Sequence, residues 1–223
     1  MKFNQSKPEM GGASHRFAGA VCLLVIFGSF GMAETNALSA DEKSKGWRLL
    51  FDGHSISGWT PEADARWQVV NGTITSSAGG DGWLRSKDVY SDFILQCDFR
   101  NVPKGNSGIF LRATKETKAG DPSNPAGGYE LQINNEDPKW ATGSIEDYIQ
   151  RLVEVNPAPG EWHHYEVEVK GDRIIAHLDG KKILDGRDPK FRSGYLGLQH
   201  HKGMTISFRN LKLKPLTAIP GSK

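Results

Sequence analysis

From Trp47 onward the chain alternates apolar and polar positions in short runs, and no helical period longer than a few residues interrupts them. In Phe93-Ile94-Leu95-Gln96-Cys97-Asp98-Phe99-Arg100, the odd positions are apolar, while Gln96, Asp98 and Arg100 point the other way. A period of two places successive side chains on opposite faces of a strand. The pattern predicts strands at 47–51, 67–70, 73–76, 83–86, 93–102, 107–114 and 129–134, then at 163–170, 173–178, 181–185 and 195–200, with a closing strand at 204–214. Asp179-Gly180 falls between two of these runs and predicts a two-residue hairpin, because both central positions of such a turn need positive φ.

About a dozen short strands in one domain must cover two faces without long bare edges, so the expected fold is an all-β, two-sheet jelly-roll sandwich. A chain of 223 residues with 37% hydrophobic content can build one such core. The segments 115–127 and 135–160 are expected to hold no regular structure. They flank the 129–134 strand on either side, and loops this long inside a compact domain tend to carry function. They are the expected walls of a site.

The N-terminal part reads differently. Lys2, Lys7 and Arg16 precede an uncharged apolar run from Phe17 to Met32, shorter than the roughly 20 residues a spanning helix needs. Residues 1–33 are expected to be a signal peptide, cleaved after Gly31-Met32-Ala33 or at a second position between Ala37 and Ala40, with a retained signal anchor as the alternative. The expected organisation is a linker at 34–45, one domain at 46–216 and a tail at 217–223. The product would be exported to the periplasm or outside the cell, with no membrane contact after cleavage. Removing residues 1–33 leaves 25 basic and 25 acidic residues, a balance that offers no field for nucleic acid. Cys97 alternates with Phe93, Leu95 and Phe99, and reads as a small buried hydrophobe.

Candidate chemistry gathers around Gly128-Tyr129-Glu130-Leu131-Gln132-Ile133, where a carboxylate and an amide share the face opposite three apolar residues. In the preceding strand Ile109 and Leu111 are expected to look inward, and Phe110 and Arg112 outward with Glu130 and Gln132. The late strand Gly197-Leu198-Gln199-His200-His201 adds a further amide and a histidine. Planar amides, carboxylates and guanidinium groups beside an aromatic platform grip sugars well. Trp140 and Tyr148 are the expected platforms, and Trp162 is expected to plug the core. Asn106 reads as a turn residue. His163 and His164 are neighbours on a strand and point to opposite faces, which argues against a shared metal. A polar outer face with scattered ion pairs is the plain alternative, and it suffices for Asp98 and Arg100 alone.

Leu50-Phe51-Asp52-Gly53 with Gly58-Trp59, then Gly105-Asn106-Ser107-Gly108-Ile109-Phe110-Leu111-Arg112, the Glu130 segment, Thr142-Gly143-Ser144-Ile145, Gly160-Glu161-Trp162, the Gln199 segment and Phe208-Arg209-Asn210 resemble, in order, the 3-keto-disaccharide hydrolase family. The resemblance runs from about Trp47 to Leu216. It implies a concanavalin A-like fold acting on glycosides whose C3 hydroxyl is already a ketone. The ketone acidifies the C2 proton, so a base can remove it, the C1 oxygen can leave by elimination, and water then adds back.

On this resemblance His201 is the first candidate base and Glu130 the alternative. Arg112 would stabilise developing negative charge. Gln132 and Gln199 would fix hydroxyls, with Trp140, Tyr148 and Asp98 as further substrate contacts. A divalent ion between Glu130 and His201 that polarises the ketone stays open, and a sugar 3-oxidoreductase acting upstream is implied as a partner. Where many members carry an aromatic residue after Thr142-Gly143-Ser144-Ile145, this chain has Glu146. Retaining glycosidase chemistry needs two carboxyls roughly 5 Å apart; along its own strand Glu130 has only Gln132, with Asp98 as the nearest substitute. The alternative functions are a non-catalytic carbohydrate-binding module and an adhesion or scaffold domain.

Overall fold

The computed structural model describes residues 1–3 and 34–216. The apolar run of the predicted signal peptide and the tail at 217–223 lie outside the described residues. Among those described, no helix is long and apolar enough to cross a membrane.

A one-turn helix, α1 (Ala40–Ser44), precedes thirteen described strands: β1 (Arg48–Leu49), β2 (Trp59–Val70), β3 (Thr73–Tyr90), β4 (Phe93–Asn101), β5 (Asn106–Ala113), β6 (Thr117–Lys118), β7 (Asp121–Pro125), β8 (Tyr129–Asn134), β9 (His163–Lys170), β10 (Arg173–Leu178), β11 (Lys181–Arg187), β12 (Gly194–His200) and β13 (Ile206–Pro215). Eleven form one continuous antiparallel sheet in the order β11-β10-β9-β4-β13-β3-β12-β5-β8, with β1 added to β13 and β2 to β3. The sheet folds over on itself at β3 and β13. The first residues of β3 pair with β13 (Ile74 with Phe208), and its later residues pair with β12 (Leu84 with Leu198). Strands from opposite ends of the order therefore meet across the core. The Tyr165 hydroxyl of β9 donates to the Gln132 carbonyl of β8 at 2.9 Å, and the Tyr129 hydroxyl of β8 donates to Asp188 beyond β11 at 2.6 Å. The predicted all-β, two-layer sandwich is present, built from one curled sheet.

The core lies between the layers and draws on alternate positions of both. Phe93, Leu95, Cys97 and Phe99 of β4 meet Ile109 and Leu111 of β5 and Tyr129, Leu131 and Ile133 of β8. Cys97 is fully buried, and burial raises its thiol well above the ordinary value. Asp179 and Gly180 both have positive φ, at 49° and 78°, and join β10 to β11 as the sequence predicts.

Four expectations need correction. The predicted short strands at 73–76 and 83–86 are one strand, because Gly79 and Gly82 let β2 and β3 approach through bulges where a Cβ would strike the backbone of Asp64 or Glu62. The predicted linker at 34–45 is docked. Asn36 exchanges hydrogen bonds with Asn210, at 2.7 and 2.8 Å, and reaches the Gly72 carbonyl; Glu42 of the α1 capping box pairs with Lys212 at 2.7 Å. Trp162 does not plug the core, and the guanidinium groups of Arg100 and Arg209 lie over its ring at 4.8 and 4.1 Å. The fourth concerns Arg112. Tyr195 opposes Ala113 and Gly197 opposes Phe110, so Leu111 and Arg112 together face the single residue Leu196. Arg112 sits in this bulge with φ 54°, and alternation fails there.

The bulge turns Arg112 into the protein, where it is 1% exposed. Its guanidinium donates to the carbonyls of Ser91, Gly171 and Phe191 at 2.7 to 2.9 Å and to the Asp92 carboxylate at 2.8 Å. One side chain thus ties together three chain reversals. Arg112→Ala is expected to lower stability by about 3–5 kcal/mol, as loss of one partner of a buried ion pair does. Equilibrium urea unfolding of the two proteins measures it.

Candidate active site

The face of the β12-β5-β8 ladder turned away from the core is polar. Pairing places Asn106 opposite Asn134, Gly108 opposite Gln132 and Phe110 opposite Glu130, all on that face. Gly197 pairs with Phe110, so Gln199, two residues on, shares the face too. Beyond β8 the ladder gains one more short row. Ile145 bridges to Leu131, the Gln132 amide donates to the Ser144 carbonyl at 3.0 Å, and the Glu146 amide donates to the Glu130 carbonyl at 3.0 Å. Glu146 therefore stands directly across from Glu130, and their side chains emerge on one face.

Above this face lies the hairpin of β6 and β7, with Thr117 near the Trp83 indole nitrogen at 3.4 Å and Asn124 accepting from the Gln199 amide at 2.9 Å. An open cleft of about 280 Å³ runs between the hairpin and the 146–148 segment. Phe110, Lys118, Asp121, Asn124, Glu130, Glu146 and Tyr148 are among its lining residues. Both long segments singled out in the sequence supply walls: 115–127, expected to hold no regular structure, instead forms the paired strands β6 and β7, and 135–160 delivers Glu146 and Tyr148. Gly108 makes room for the carboxyl, since a Cβ there would collide with Glu130 Oε1.

Glu130 is 6% exposed, and its carboxyl is held well above the ordinary carboxylate range. Burial is the largest cause, followed by the charge of Glu146, a hydrogen bond shared with Glu146, and Asp121; contact with Gln199 opposes them. Gln132 donates from Nε2 to Glu146 Oε2 at 2.6 Å. Burial would raise Asp121, but donation from Ser123 and Asn124 at 2.7 Å each holds it below the ordinary value. His201 lies close enough to Asp81, Asp121 and Glu146 to feel their charges, with Asp81 at 3.7 Å. Burial nevertheless outweighs those carboxylates and lowers the imidazole below its usual value. Four buried side-chain oxygens of this face accept no hydrogen bond from the described protein: Glu130 Oε1, Gln132 Oε1, Gln199 Oε1 and Asn106 Oδ1.

The chain belongs to the 3-keto-α-glucoside-1,2-lyase-like domain family. The family model matches residues 46–214. A curated 3-keto-disaccharide hydrolase from Bacteroides thetaiotaomicron is 22% identical over 242 residues, covering 82% of this chain and 83% of that one. A levanase from Bacillus subtilis is 24% identical over 186 residues; the match takes 78% of this chain, which spans only 25% of the levanase. A solved Parabacteroides distasonis structure, titled as a candidate glycosyl hydrolase, superposes with a TM-score of 0.73 at 24% identity, covering 82% of this chain and all of that one.

Membership in the family makes the location of each expected site residue informative. The structure gathers Glu130, Gln132, Gln199 and Tyr148, with His201 at their margin. It removes three others. Arg112 is buried among chain reversals for the reason given above, and Lys118 is the basic residue that lines the cleft. Asp98 of β4 lies on the outer face of the other layer, holding His164 at 2.7 Å, Asn210 at 2.7 Å and Arg209 at 3.2 Å. Trp140 sits in a turn whose amides donate to Asp137, with Lys139 over its ring, and it does not line the cleft. Phe110 and Tyr148 provide the aromatic surface there. His163 and His164 bind Asp179 and Asp98 separately, as opposite faces require. Among the described residues no group of three or more His, Cys, Asp or Glu side chains converges as a metal shell.

Two members escaped the strand pattern. Asn106 continues the polar face instead of serving as a turn residue, which its even spacing from Gly108 and Phe110 signals. Glu146 is the carboxyl partner that Asp98 is not, and its only mark in the sequence is its place after Thr142-Gly143-Ser144-Ile145. Glu146, across the ladder from Glu130, supplies the second carboxyl that the 129–134 strand lacks.

A carboxyl raised above its ordinary value of 4.5 favours folding fully only below that value, and the benefit is lost as pH climbs towards the folded-state value. Glu130→Gln removes this penalty. Between about pH 5 and about pH 8 the melting temperature of the variant is expected to fall less than that of the wild type, which paired thermal melts in matched buffers test.

Proposed function

We propose that this domain cleaves glycosides carrying a ketone at C3, by proton removal at C2, elimination at C1 and rehydration. One observation carries the reading: the environment pushes a carboxyl in the cleft wall up and an imidazole at the cleft's margin down. Opposed shifts of this kind mark an acid and a base. Lowered by burial, His201 is neutral at neutral pH and can take the C2 proton. Raised by burial and by Glu146, Glu130 keeps a proton it can give to the leaving oxygen. Lys118 offers positive charge to the enolate in the role first expected of Arg112. The unpaired oxygens of Asn106, Gln132 and Gln199 need donors, and sugar hydroxyls supply them.

The family and the hydrolase relative support this chemistry, and it requires an oxidoreductase elsewhere that makes the ketone. The basic and then apolar start of the sequence supports action outside the cytoplasm. A second reading, a sugar-binding module without catalysis, draws on one specific finding: the chain matches only a quarter of the levanase, the span of a module inside a larger enzyme.

Release of aglycone from a 3-keto-glucoside and from its unoxidised parent separates the two. The wild type is expected to cleave only the oxidised compound, and Glu130→Gln and His201→Ala each to lose about 10²- to 10⁴-fold in kcat, the usual worth of a general acid or base. Sugar binding without cleavage of either compound would favour the module.

A further inference from the structure

Two carboxyls directly opposite one another across an antiparallel ladder repel, and such pairs destabilise a sheet. Glu130 and Glu146 are such a pair, and the groups around them do little to relieve it. Gln132 from the same strand donates to Glu146. Asp121 from β7 adds negative charge, and Phe110 from β5 adds none. Gln199 from β12, which also donates to Asn124, opposes the rise of Glu130 only as the smallest of the influences on it. Lys118 from β6 is the basic residue of the cleft wall, and its ammonium lies 3.6 Å from Asp121. Asp147 adds a further carboxyl to the lining. A single proton held between the two carboxyls resolves the repulsion, with Glu130 donating to Glu146 and Gln132 bracing Glu146 from the other side.

We propose that Glu146 is a positioning residue for this reaction: it holds the proton on Glu130 and makes that residue serve first as acid and then as base. The inference rests on the reading given under Proposed function. In the elimination, His201 takes the C2 proton. The C2–H electron pair enters the enolate of the C3 ketone and then becomes the C1–C2 π bond, restoring the C3 carbonyl, as the C1–O bond breaks and the Glu130 proton passes to the departing oxygen. The carboxyl pair is then left without its proton beside Glu146, so it draws one strongly. It takes that proton from the water whose oxygen bonds to C1, while the imidazolium returns its proton to C2. The net change is hydrolysis, and the pair ends as it began.

The test uses the full-length protein in two measurements. Difference infrared spectroscopy without substrate reads the carboxylic acid carbonyl band at neutral pH. The band is expected in the wild type and absent from both Glu130→Gln and Glu146→Gln. The second measurement is the pH profile of 3-keto-glucoside cleavage. Glu146→Gln is expected to lower kcat about tenfold or more with KM little changed, and to move the alkaline limb to lower pH; Glu146→Asp is expected to restore much of both. A band that persists in Glu146→Gln, or a variant profile that overlays the wild type, overturns the proposal. A band lost in both variants together with a wild type that cleaves nothing supports the shared proton and defeats the catalytic reading, so the two failures are distinguishable.

Discussion

The candidate site is organised around one ladder contact, the pairing of Glu130 on the last strand of the sheet with Glu146 on the short row beyond it. Burial alone raises a carboxyl, but here the nearest charged neighbour is another carboxyl, and backbone hydrogen bonds fix it in place. The Gln132 amide, donating to Glu146 Oε2 at 2.6 Å, holds the second carboxyl on the side of the first. The strain of like charges is held where loops meet the scaffold, which is where natural proteins tend to keep such costs.

That contact in turn needs the curled sheet. Folding at β3 and β13 brings β9 behind β8, so that the Tyr165 hydroxyl supports the Gln132 carbonyl from the core side while the Gln132 side chain faces the cleft. At the far end of β5, Arg112 ties the turns at 91–92, 171 and 191. A guanidinium suits this task because its planar fork can satisfy several carbonyls at once and stays charged when buried. The residue first expected to act on substrate instead ties the end of β5 to three turns.

Most of the fold was legible because it follows from period two. The strands around Phe93–Asn101, Tyr129–Asn134 and His163–Lys170, the Asp179-Gly180 turn and the burial of Cys97 all express alternation or turn stereochemistry, which are local. Alternation also gave Glu130, Gln132 and Gln199 their common face. It misplaced Arg112 because a bulge inserts one residue, and nothing local to Leu111-Arg112 announces it. It also grouped Asp98 with Glu130, since period two assigns a side of a strand without saying which layer that strand joins. Glu146 and the 117–125 hairpin were illegible for a related reason: their positions depend on contacts with β8, β3 and β12 that no short window of sequence contains.

The most direct measurement is a crystal structure of the Glu130→Gln variant with an intact 3-keto-glucoside bound. The account predicts the sugar in the cleft between the 117–125 hairpin and Glu146, with its glycosidic oxygen in hydrogen-bond reach of the residue 130 amide and its C2 towards His201. A sugar bound elsewhere, against Trp162 on the outer face of the other layer or in the separate hollow beside Asn101 and His163, would contradict it.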